Sequence, residues 1–300
     1  MINWKKISGN ISDATACLFT IVHASPISGG YTNQAWHLEG RTESGLTDGK
    51  VHYFVKLNSA DKTAMFTAER AGLAALAATH TLRVPRVIAH GVASQHAFIV
   101  LEHFDLYRNG NNDVLGAQLA ALHRVQAAQF GWDRDNTLSL NPQHNTWSPD
   151  WLSFWREQRL GFQLDHAAHN GYGGKLQILG HKIMDALPDL FAGYYPAPSL
   201  LHGDLWGGNY AFLFDSTPLV FDPAPYFGDR ETDIAMTELF GGFDAAFYQA
   251  YHAAYPLDAG YTKRKTLYNL YHILNHCNLV GSSYLNQAEG MMLNLLEEAR

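Results

Sequence analysis

The sequence is poor in cysteine and has no long hydrophobic run. Its 300 residues include two cysteines, Cys17 and Cys277, which fit no CxxC spacing. We therefore expect neither a disulfide framework nor a cysteine-based zinc site, and the composition is typical of a reducing, cytoplasmic compartment. Because no run of about 18 apolar residues occurs, we expect no transmembrane helix and no membrane partner. The first residues also lack the apolar core of a signal peptide.

Charged side chains are scarce as well. They make up 16% of the residues, against about 25% in an average soluble domain. The net charge of −7 argues against binding of nucleic acid by bulk electrostatics. Hydrophobic residues make up 47% of the chain, which excludes a disordered polymer and is enough to form a core. The sequence therefore predicts a folded, soluble protein with no nucleic-acid partner.

The secondary-structure pattern changes near residue 103. Before it, β-branched and aromatic runs predict about five strands, at 17–23, 35–38, 51–57, 87–90 and 97–101. One helix is predicted there, from Asp61 to about Thr79. After it, apolar spacing predicts a short hairpin at 210–221 and helices at 114–126, 151–167, 176–187, 233–240, 243–255 and 263–285. This pattern predicts an α+β protein with a small β-rich lobe at 1–103 and a larger, mainly helical lobe at 104–300.

The strongest chemical signal lies between residues 202 and 222. Asp204 and Asn209 are five residues apart, as in the catalytic loop of protein kinases, and Asp222 follows an apolar strand. A carboxylate in such a loop can accept the proton of a substrate hydroxyl. The amide oxygen of Asn209 and the carboxylate of Asp222 are hard ligands that suit Mg²⁺. An isolated Asp in a turn is common, so the interpretation depends on all three residues together.

Lys56 and Glu69 form a second candidate pair. Lys56 lies in a predicted strand and Glu69 in the helix that follows. Protein kinases hold the phosphates of ATP with a lysine and a glutamate placed in this way. A lone lysine would be explained equally well as protection of a sheet edge, but the pair favours ATP binding.

Two further segments are candidates for ATP contacts. Gly29, Gly30 and Asn33 lie in the turn between the first two predicted strands, where glycine lets backbone N–H groups approach phosphates. The kinase pattern G-x-G-x-x-G is absent. At the end of the small lobe, Glu102 and Phe104 are candidates to contact an adenine through main-chain atoms. An ordinary turn and an ordinary strand would have the same sequence features.

Three segments resemble the fructosamine kinase, or ketosamine kinase, family. They have the sequences HGDLWGGN at 202–209, FDPA at 221–224 and YFGDRE at 226–231. This family belongs to the protein-kinase-like superfamily, beside the aminoglycoside and choline kinases, so the resemblance implies a two-lobe fold over nearly the whole chain. It also implies transfer of the γ-phosphate of ATP to the 3-hydroxyl of a ketosamine, followed by release of the amine, which is termed deglycation.

The resemblance assigns a role to each candidate. Asp204 would be the catalytic base, and Asn209 and Asp222 would hold Mg²⁺. Lys56 would contact the phosphates of ATP, and Glu69 would orient Lys56.

The substrate pocket is predicted from residues near these motifs. Trp206 follows the predicted base by two residues and is expected to form one wall. Asp229, Glu231 and Trp147 are candidates for contacts to the hydroxyls or the amine of the substrate. Packing against a helix explains Trp147 equally well.

Two departures from related sequences affect regulation. Tyr31 stands where many members of the family have a cysteine in the glycine loop, so we expect no redox switch there. Asp222-Pro223-Ala224 replaces the D-F-G of protein kinases. The next predicted helix begins near Asp233, which leaves little room for an activation loop, and we expect constitutive activity.

Two other functions stay open. The same machinery could act on an aminoglycoside, choline or another amino alcohol, because substrate pockets change faster than phosphate-binding residues. A non-catalytic pseudokinase is the third alternative. Neither the identity of the ketosamine nor the oligomeric state can be deduced from the residues.

Overall fold

The computed structural model describes residues 1–28, 32–42 and 49–298. The chain divides into two compact units. The first consists of residues 1–110 and 211–221, and the second of residues 111–210 and 222–300. The lobe boundary predicted at residue 103 stays a prediction, since these units are defined by spatial contacts and one of them takes a segment from later in the chain.

A five-stranded antiparallel sheet forms most of the first unit. Its order is β1-β2-β3-β5-β4, with β1 at Phe19–Ile27, β2 at Gln34–Thr42, β3 at Lys50–Ser59, β4 at Val87–Ala93 and β5 at His96–Glu102. The five predicted strands are thus confirmed. Alternation along the central strand β3 places Val55 and Leu57 in the apolar cluster on one face of the sheet, while Phe54 packs with the cluster on the other.

Each face of this sheet is covered by one helix. The helix α2 (Thr63–Ala78), preceded by a 3₁₀ turn at Ala60–Lys62, confirms the prediction and packs its Phe66 and Leu73 against Ile99. The helix α1 (Trp4–Thr15) covers the other face with Ile7 and Ile11, and the sequence analysis did not predict it.

The α1 segment contains serine, glycine and asparagine, which are weak helix formers. Its stability comes from tertiary packing of one apolar side and from the cap at Asn3, whose side chain accepts a hydrogen bond from the N–H of Lys6 at 3.0 Å.

The second unit begins with a helix, a small hairpin and a helix whose middle is π-helical. Its elements up to residue 200 are α3 at Asn112–Leu122, β6 at Asn136–Leu138, β7 at Asn141–Gln143, α4 at Trp151–Trp155, α5 at Phe162–His169, α6 at Lys175–Leu190 and β8 at Ser199–Leu200. A π-helical stretch at Arg156–Gly161 joins α4 to α5. The helix predicted at 151–167 is therefore present, but its middle is wound more loosely than an α-helix.

A hairpin of β9 (Tyr210–Phe212) and β10 (Pro218–Val220) follows, as predicted. Residues 211–221 of this segment belong to the first unit, where Phe212 pairs with Tyr107 and Leu219 with Arg83.

The remaining elements complete the second unit. They are β11 at Phe227–Gly228, α7 at Glu231–Leu239, α8 at Ala245–Ala254, α9 at Tyr261–Val280, a 3₁₀ turn at Ser282–Tyr284 and α10 at Leu285–Glu298. The helix α9 is buried on most sides and packs against α5, α7 and α10, so it forms the centre of the core. The final helix α10 was not predicted, since the last predicted helix ends at residue 285, where α10 begins.

The α+β class with a five-stranded sheet and a mainly helical second unit is confirmed. None of the helices in the described part of the chain combines the length and the apolar character that a membrane span needs.

Candidate active site

The loop that follows β8 lies directly against the segment that follows β10. The N–H of Ala224 donates to the carbonyl oxygen of His202 at 2.9 Å. Between these contacts Gly203 has a φ of +83°, and a Cβ there would collide with the carbonyl oxygen of Ala224. Only glycine satisfies both conditions, because it tolerates a positive φ and occupies no side-chain space. This close approach brings the segments of Asp204 and Asp222 together within the second unit.

Asp204 and Asn209 are in direct contact, as their spacing predicts. The side-chain nitrogen of Asn209 donates to a carboxylate oxygen of Asp204 at 3.0 Å and to the carbonyl oxygen of Asp204 at 2.8 Å. Asp204 is partly exposed and Asn209 is buried. Because the nitrogen of Asn209 makes these bonds, its oxygen is the atom that remains to bind a cation.

The surroundings of Asp204 raise its pKa to about 7. Although Asp204 keeps some exposed surface, the surrounding protein removes most of the water from its carboxylate, and this desolvation is the main cause. The negative charge of Asp222 acts in the same direction, while the hydrogen bond from Asn209 opposes it. A carboxylate with a pKa near neutrality takes up a proton more readily than an ordinary aspartate. The geometry and the electrostatics therefore both suit a general base.

The metal-binding prediction concerns Asn209 and Asp222. Asp222 is partly exposed and has a φ of +57°, which is uncommon for a residue other than glycine. Across the residues described here, no group of three or more His, Cys, Asp or Glu side chains could hold a metal ion. One amide and one carboxylate nevertheless fit Mg²⁺, since this ion commonly takes one or two protein ligands and completes its octahedron with phosphates and water.

Asp233, in the first turn of α7, supports the catalytic loop, and the sequence analysis missed it. Its carboxylate accepts hydrogen bonds from the backbone N–H groups of His202 at 2.7 Å and Gly203 at 2.9 Å. The Nε2 atom of His123 lies 3.1 Å from the same carboxylate. Although burial alone would raise the pKa of Asp233, the interactions with His123 and His202 hold that pKa below its usual range. The sequence marks Asp233 only as an acidic residue at a helix start.

The first unit contains the Lys56–Glu69 pair. The Nζ atom of Lys56 on β3 lies 2.6 Å from a carboxylate oxygen of Glu69 on α2, and the side chains are 7% and 11% exposed. Lys56 is opposite Ala35 on β2 and Ile99 on β5, so it lies in the middle of the sheet and not at an edge. The alternative of a lysine that protects a sheet edge is therefore wrong.

Three other residues predicted to contact ATP, Asn33, Glu102 and Phe104, lie in the described part of the chain. The side chain of Asn33 accepts a hydrogen bond from Asn58 at 2.8 Å. The backbone N–H of Glu102 donates to the carbonyl of Arg86 at 2.9 Å, and the guanidinium of Arg83 lies 5.0 Å from the ring centre of Phe104. These contacts neither support nor oppose nucleotide binding.

Gly29 and Gly30 lie outside the described residues, so their predicted contact with phosphate stays a prediction.

Two of the substrate candidates are exposed tryptophans of the second unit. Trp206 is 38% exposed, its ring lies over Gly208, and it contacts Phe240 edge-on at a centroid distance of 6.0 Å. Trp147 is 41% exposed and stacks on Phe227 at 6.1 Å. Both rings are therefore accessible to a ligand.

Asp229 and Glu231, the other two substrate candidates, are completely buried. Asp229 accepts hydrogen bonds from the hydroxyls of Tyr194 and Tyr268, and Glu231 forms two bonds with Arg264 at 2.7 and 3.0 Å. Burial, partly opposed by Arg264, raises the pKa of Glu231 to about 7. These contacts favour a structural role, and contact with a substrate stays a prediction for both residues.

Comparison with known proteins places this geometry in a family. The model of the fructosamine kinase family matches residues 3–298. A probable ketoamine kinase of Synechocystis is 47% identical over 298 residues, which cover 98% of this chain and 97% of that protein. The chloroplastic protein-ribulosamine 3-kinase of Arabidopsis thaliana is 39% identical, over 89% of this chain and 81% of that protein.

Solved structures agree with this result. A crystal structure from Haemophilus somnus, assigned as a fructosamine-3-kinase, superposes with a TM-score of 0.87 and 32% identity, over 98% of this chain and 97% of that chain. An ADP-bound aminoglycoside phosphotransferase superposes with a TM-score of 0.63 at 12% identity, over 98% of each chain, which shows a shared protein-kinase-like fold only. With a family model that spans almost its full length, this chain belongs to the fructosamine kinase family.

Proposed function

We propose that this protein transfers the γ-phosphate of ATP to the 3-hydroxyl of a ketosamine. It is a kinase of the fructosamine kinase family, and ATP is the phosphoryl donor expected of that family. The observation that carries the chemical assignment is the contact between Asp204 and Asn209 beside the Asp222 segment. The 3-phosphate of a ketosamine is unstable, so the product releases its amine, which is the deglycation implied by the family resemblance.

Asp204 is proposed as the catalytic base. As the 3-hydroxyl oxygen bonds to the γ-phosphorus, the bond from that phosphorus to the β-phosphate bridge breaks, ADP leaves, and the hydroxyl proton passes to Asp204. Its raised pKa suits this transfer near neutral pH. Asp233 holds the backbone of the loop through two hydrogen bonds, so the carboxylate of Asp204 needs little reorganisation.

Asn209 and Asp222 are proposed to hold Mg²⁺, which neutralises phosphate charge when it is bound. The proposal is supported by the amide oxygen and the carboxylate that these residues offer, and by the fixed position of Asn209 against Asp204.

Lys56 is proposed to contact the phosphates of ATP, with Glu69 as the residue that orients it. The short distance between the two charged groups and their burial support this assignment, because a buried charge needs a fixed partner. The backbone near Gly29 and Gly30, together with Asn33, Glu102 and Phe104, is proposed to complete the nucleotide contacts.

The substrate is proposed to be the adduct of a ketose with a free or protein-bound amine. The exposed ring of Trp206, two residues from Asp204, is the best-supported wall for a sugar-sized ligand, and Trp147 is the second candidate. A cytoplasmic location fits the two unpaired cysteines, and it stays a prediction.

A coupled assay of ADP release tests the proposal. We expect release that depends on Mg²⁺ and on a ribulosamine or fructosamine derivative, and we expect Asp204→Asn to slow it by about 10²–10⁴-fold. A panel containing an aminoglycoside and choline serves as the comparison. Release only with a member of that panel would replace the ketosamine as substrate, and no release with any substrate from folded protein would favour a pseudokinase.

A further inference from the structure

Three buried amide side chains lie close to the segment that carries Asp222. We call Asn136, Gln143 and Asn145 the amide cluster. Asn136 and Gln143 belong to the hairpin of β6 and β7, and Asn145 lies two residues beyond Gln143. All three are at most 6% exposed. Burying an amide is unfavourable unless its hydrogen bonds are made, so the partners of these side chains decide what the cluster does.

Two members of the amide cluster bind the backbone just after Asp222. The side-chain nitrogen of Gln143 donates to the carbonyl oxygen of Ala224 at 3.1 Å. The side-chain nitrogen of Asn136 donates to the carbonyl oxygen of Pro225 at 2.8 Å. These carbonyls lie two and three residues beyond the proposed metal ligand, which ties its segment to the hairpin.

The orientation of each amide is fixed by further donors. The hydroxyl of Tyr271 donates to the oxygen of Gln143 at 2.8 Å, and Arg159 donates to the oxygen of Asn145 at 2.7 Å. The nitrogens of Gln143 and Asn145 then both donate to the oxygen of Asn136, at 2.8 and 3.2 Å. With every oxygen accepting, only the nitrogens can face the carbonyls of the Asp222 segment.

The Asp222–Pro225 segment is held on its other side as well. The N–H of Ala224 donates to His202 of the catalytic loop, so this residue is held through its N–H on one side and through its carbonyl on the other. Its two neighbours, Pro223 and Pro225, have no N–H and a restricted φ. The segment therefore has few alternative conformations.

We propose that Gln143 and Asn136 are positioning residues that hold the Asp222–Pro225 segment in one conformation and so keep Asp222 aligned beside Asp204. This rests on the proposed role of Asp222 in phosphoryl transfer. The amide cluster explains how the enzyme functions with D-P-A in place of D-F-G: the segment is fixed by buried hydrogen bonds and needs no switch to reach its active conformation.

The test compares Gln143→Met with Asn141→Leu. Both changes replace a buried amide of the same hairpin by an apolar side chain of similar size, but Asn141 bonds to Asn275 at 2.9 Å and not to the Asp222 segment. One readout is hydrogen–deuterium exchange of peptides that cover residues 222–226. The other is the Mg²⁺ concentration that gives half-maximal binding of a non-hydrolysable ATP analogue, measured by calorimetry without ketosamine.

For Gln143→Met we expect faster exchange in this segment and a rise of roughly tenfold in the required Mg²⁺, which is typical when a residue that supports a metal ligand is lost. Asn141→Leu should lower stability and leave both readouts near wild type. Equal effects of the two variants, or no effect of Gln143→Met, would overturn the proposal. If Gln143→Met does not fold, Asn136→Ser, which removes the bond to Pro225, is judged by the same two readouts.

These readouts also separate this proposal from the proposed function. Exchange and nucleotide binding need no ketosamine, so a failure to phosphorylate any ketosamine would leave the expected difference between the two variants intact.

Discussion

Two groups of acidic residues in the second unit show opposite environments. Asp204 and Asp222 are partly exposed, and the carboxylate of Asp204 accepts a hydrogen bond from the side chain of Asn209. Asp229 and Glu231 have no exposed surface. Tyrosine hydroxyls donate hydrogen bonds to the carboxylate of Asp229, and Arg264 donates to that of Glu231. Burial raises the pKa of Asp204 in the first group and the pKa values of Asp229 and Glu231 in the second. A raised pKa therefore does not identify a reacting carboxylate by itself, whereas access to a ligand separates the two groups.

The largest expected effect belongs to the partly exposed group. Asp204→Asn removes the proton acceptor, so kcat should fall by about 10²–10⁴-fold, while the hydrogen bond with Asn209 and the folded structure persist. Steady-state kinetics and thermal unfolding of the same preparation measure both. A variant with an unchanged kcat would show that Asp204 is not the base.

Substitutions in the buried group should lower the free energy of unfolding and leave the catalytic rate unchanged. Glu231→Ala leaves Arg264 with Asp258 as its remaining carboxylate partner, and we expect a loss of about 3–5 kcal/mol in the free energy of unfolding. The control is Lys265→Ala, which removes a partly exposed ion pair with Glu238 at 2.7 Å and should cost about 1 kcal/mol. Urea denaturation measures both losses. A large rise in KM for the ketosamine with little loss of stability would instead assign Glu231 to the substrate pocket.

His272 provides a contrast to Glu231. Both side chains are buried, but Glu231 forms hydrogen bonds with Arg264, whereas the Nδ1 atom of His272 has no hydrogen-bond partner among the described residues. Burial, reinforced by His276, lowers its pKa to about 3. In the unfolded chain this histidine has a pKa of about 6.5, so below that pH the unfolded state binds a proton that the folded state does not. The stability contributed by neutral His272 is thus complete above pH 6.5 and is lost as the pH falls towards 3, by roughly 1.4 kcal/mol per pH unit.

His272→Asn, which does not titrate, tests this expectation. Urea denaturation at pH 7.5, 6.0 and 5.0 should give a shallower decline for the variant than for wild type. Parallel declines would show that another group controls acid stability.

The smallest expected effect distinguishes the two exposed tryptophans. Trp206→Leu should raise KM for the ketosamine by roughly tenfold with a smaller change in KM for ATP, because an aromatic wall contributes binding area. Trp147→Leu is the matched variant, since its ring is similarly exposed. A rise for Trp147→Leu alone would move the predicted wall from Trp206 to Trp147.

Local sequence predicted the parts of the site that depend on local spacing. The contact between Asp204 and Asn209 follows from five residues of one loop, and the Lys56–Glu69 pair follows from strand alternation and the next helix. The role of Asp233 could not be predicted, because it depends on how α7 meets a loop 30 residues earlier in the chain.

The same limit applies to the fold. Helix α1 and the amide cluster depend on partners that are far away in sequence, such as the sheet beneath Ile7 and the carbonyl of Ala224, which Gln143 reaches 81 residues away. A local pattern contains no information about such partners, whereas the strands and most helices of the second unit have their periodicity within one window.

The position of α1 has a practical consequence for handling this protein. Ile7 and Ile11 are completely buried against Val55, Leu57 and Phe98 of the sheet. A chain shortened by its first 15 residues would expose that apolar surface to solvent and to other molecules. Such a chain should form aggregates during purification, and an affinity tag at the N-terminus needs a spacer that leaves the cap at Asn3 intact.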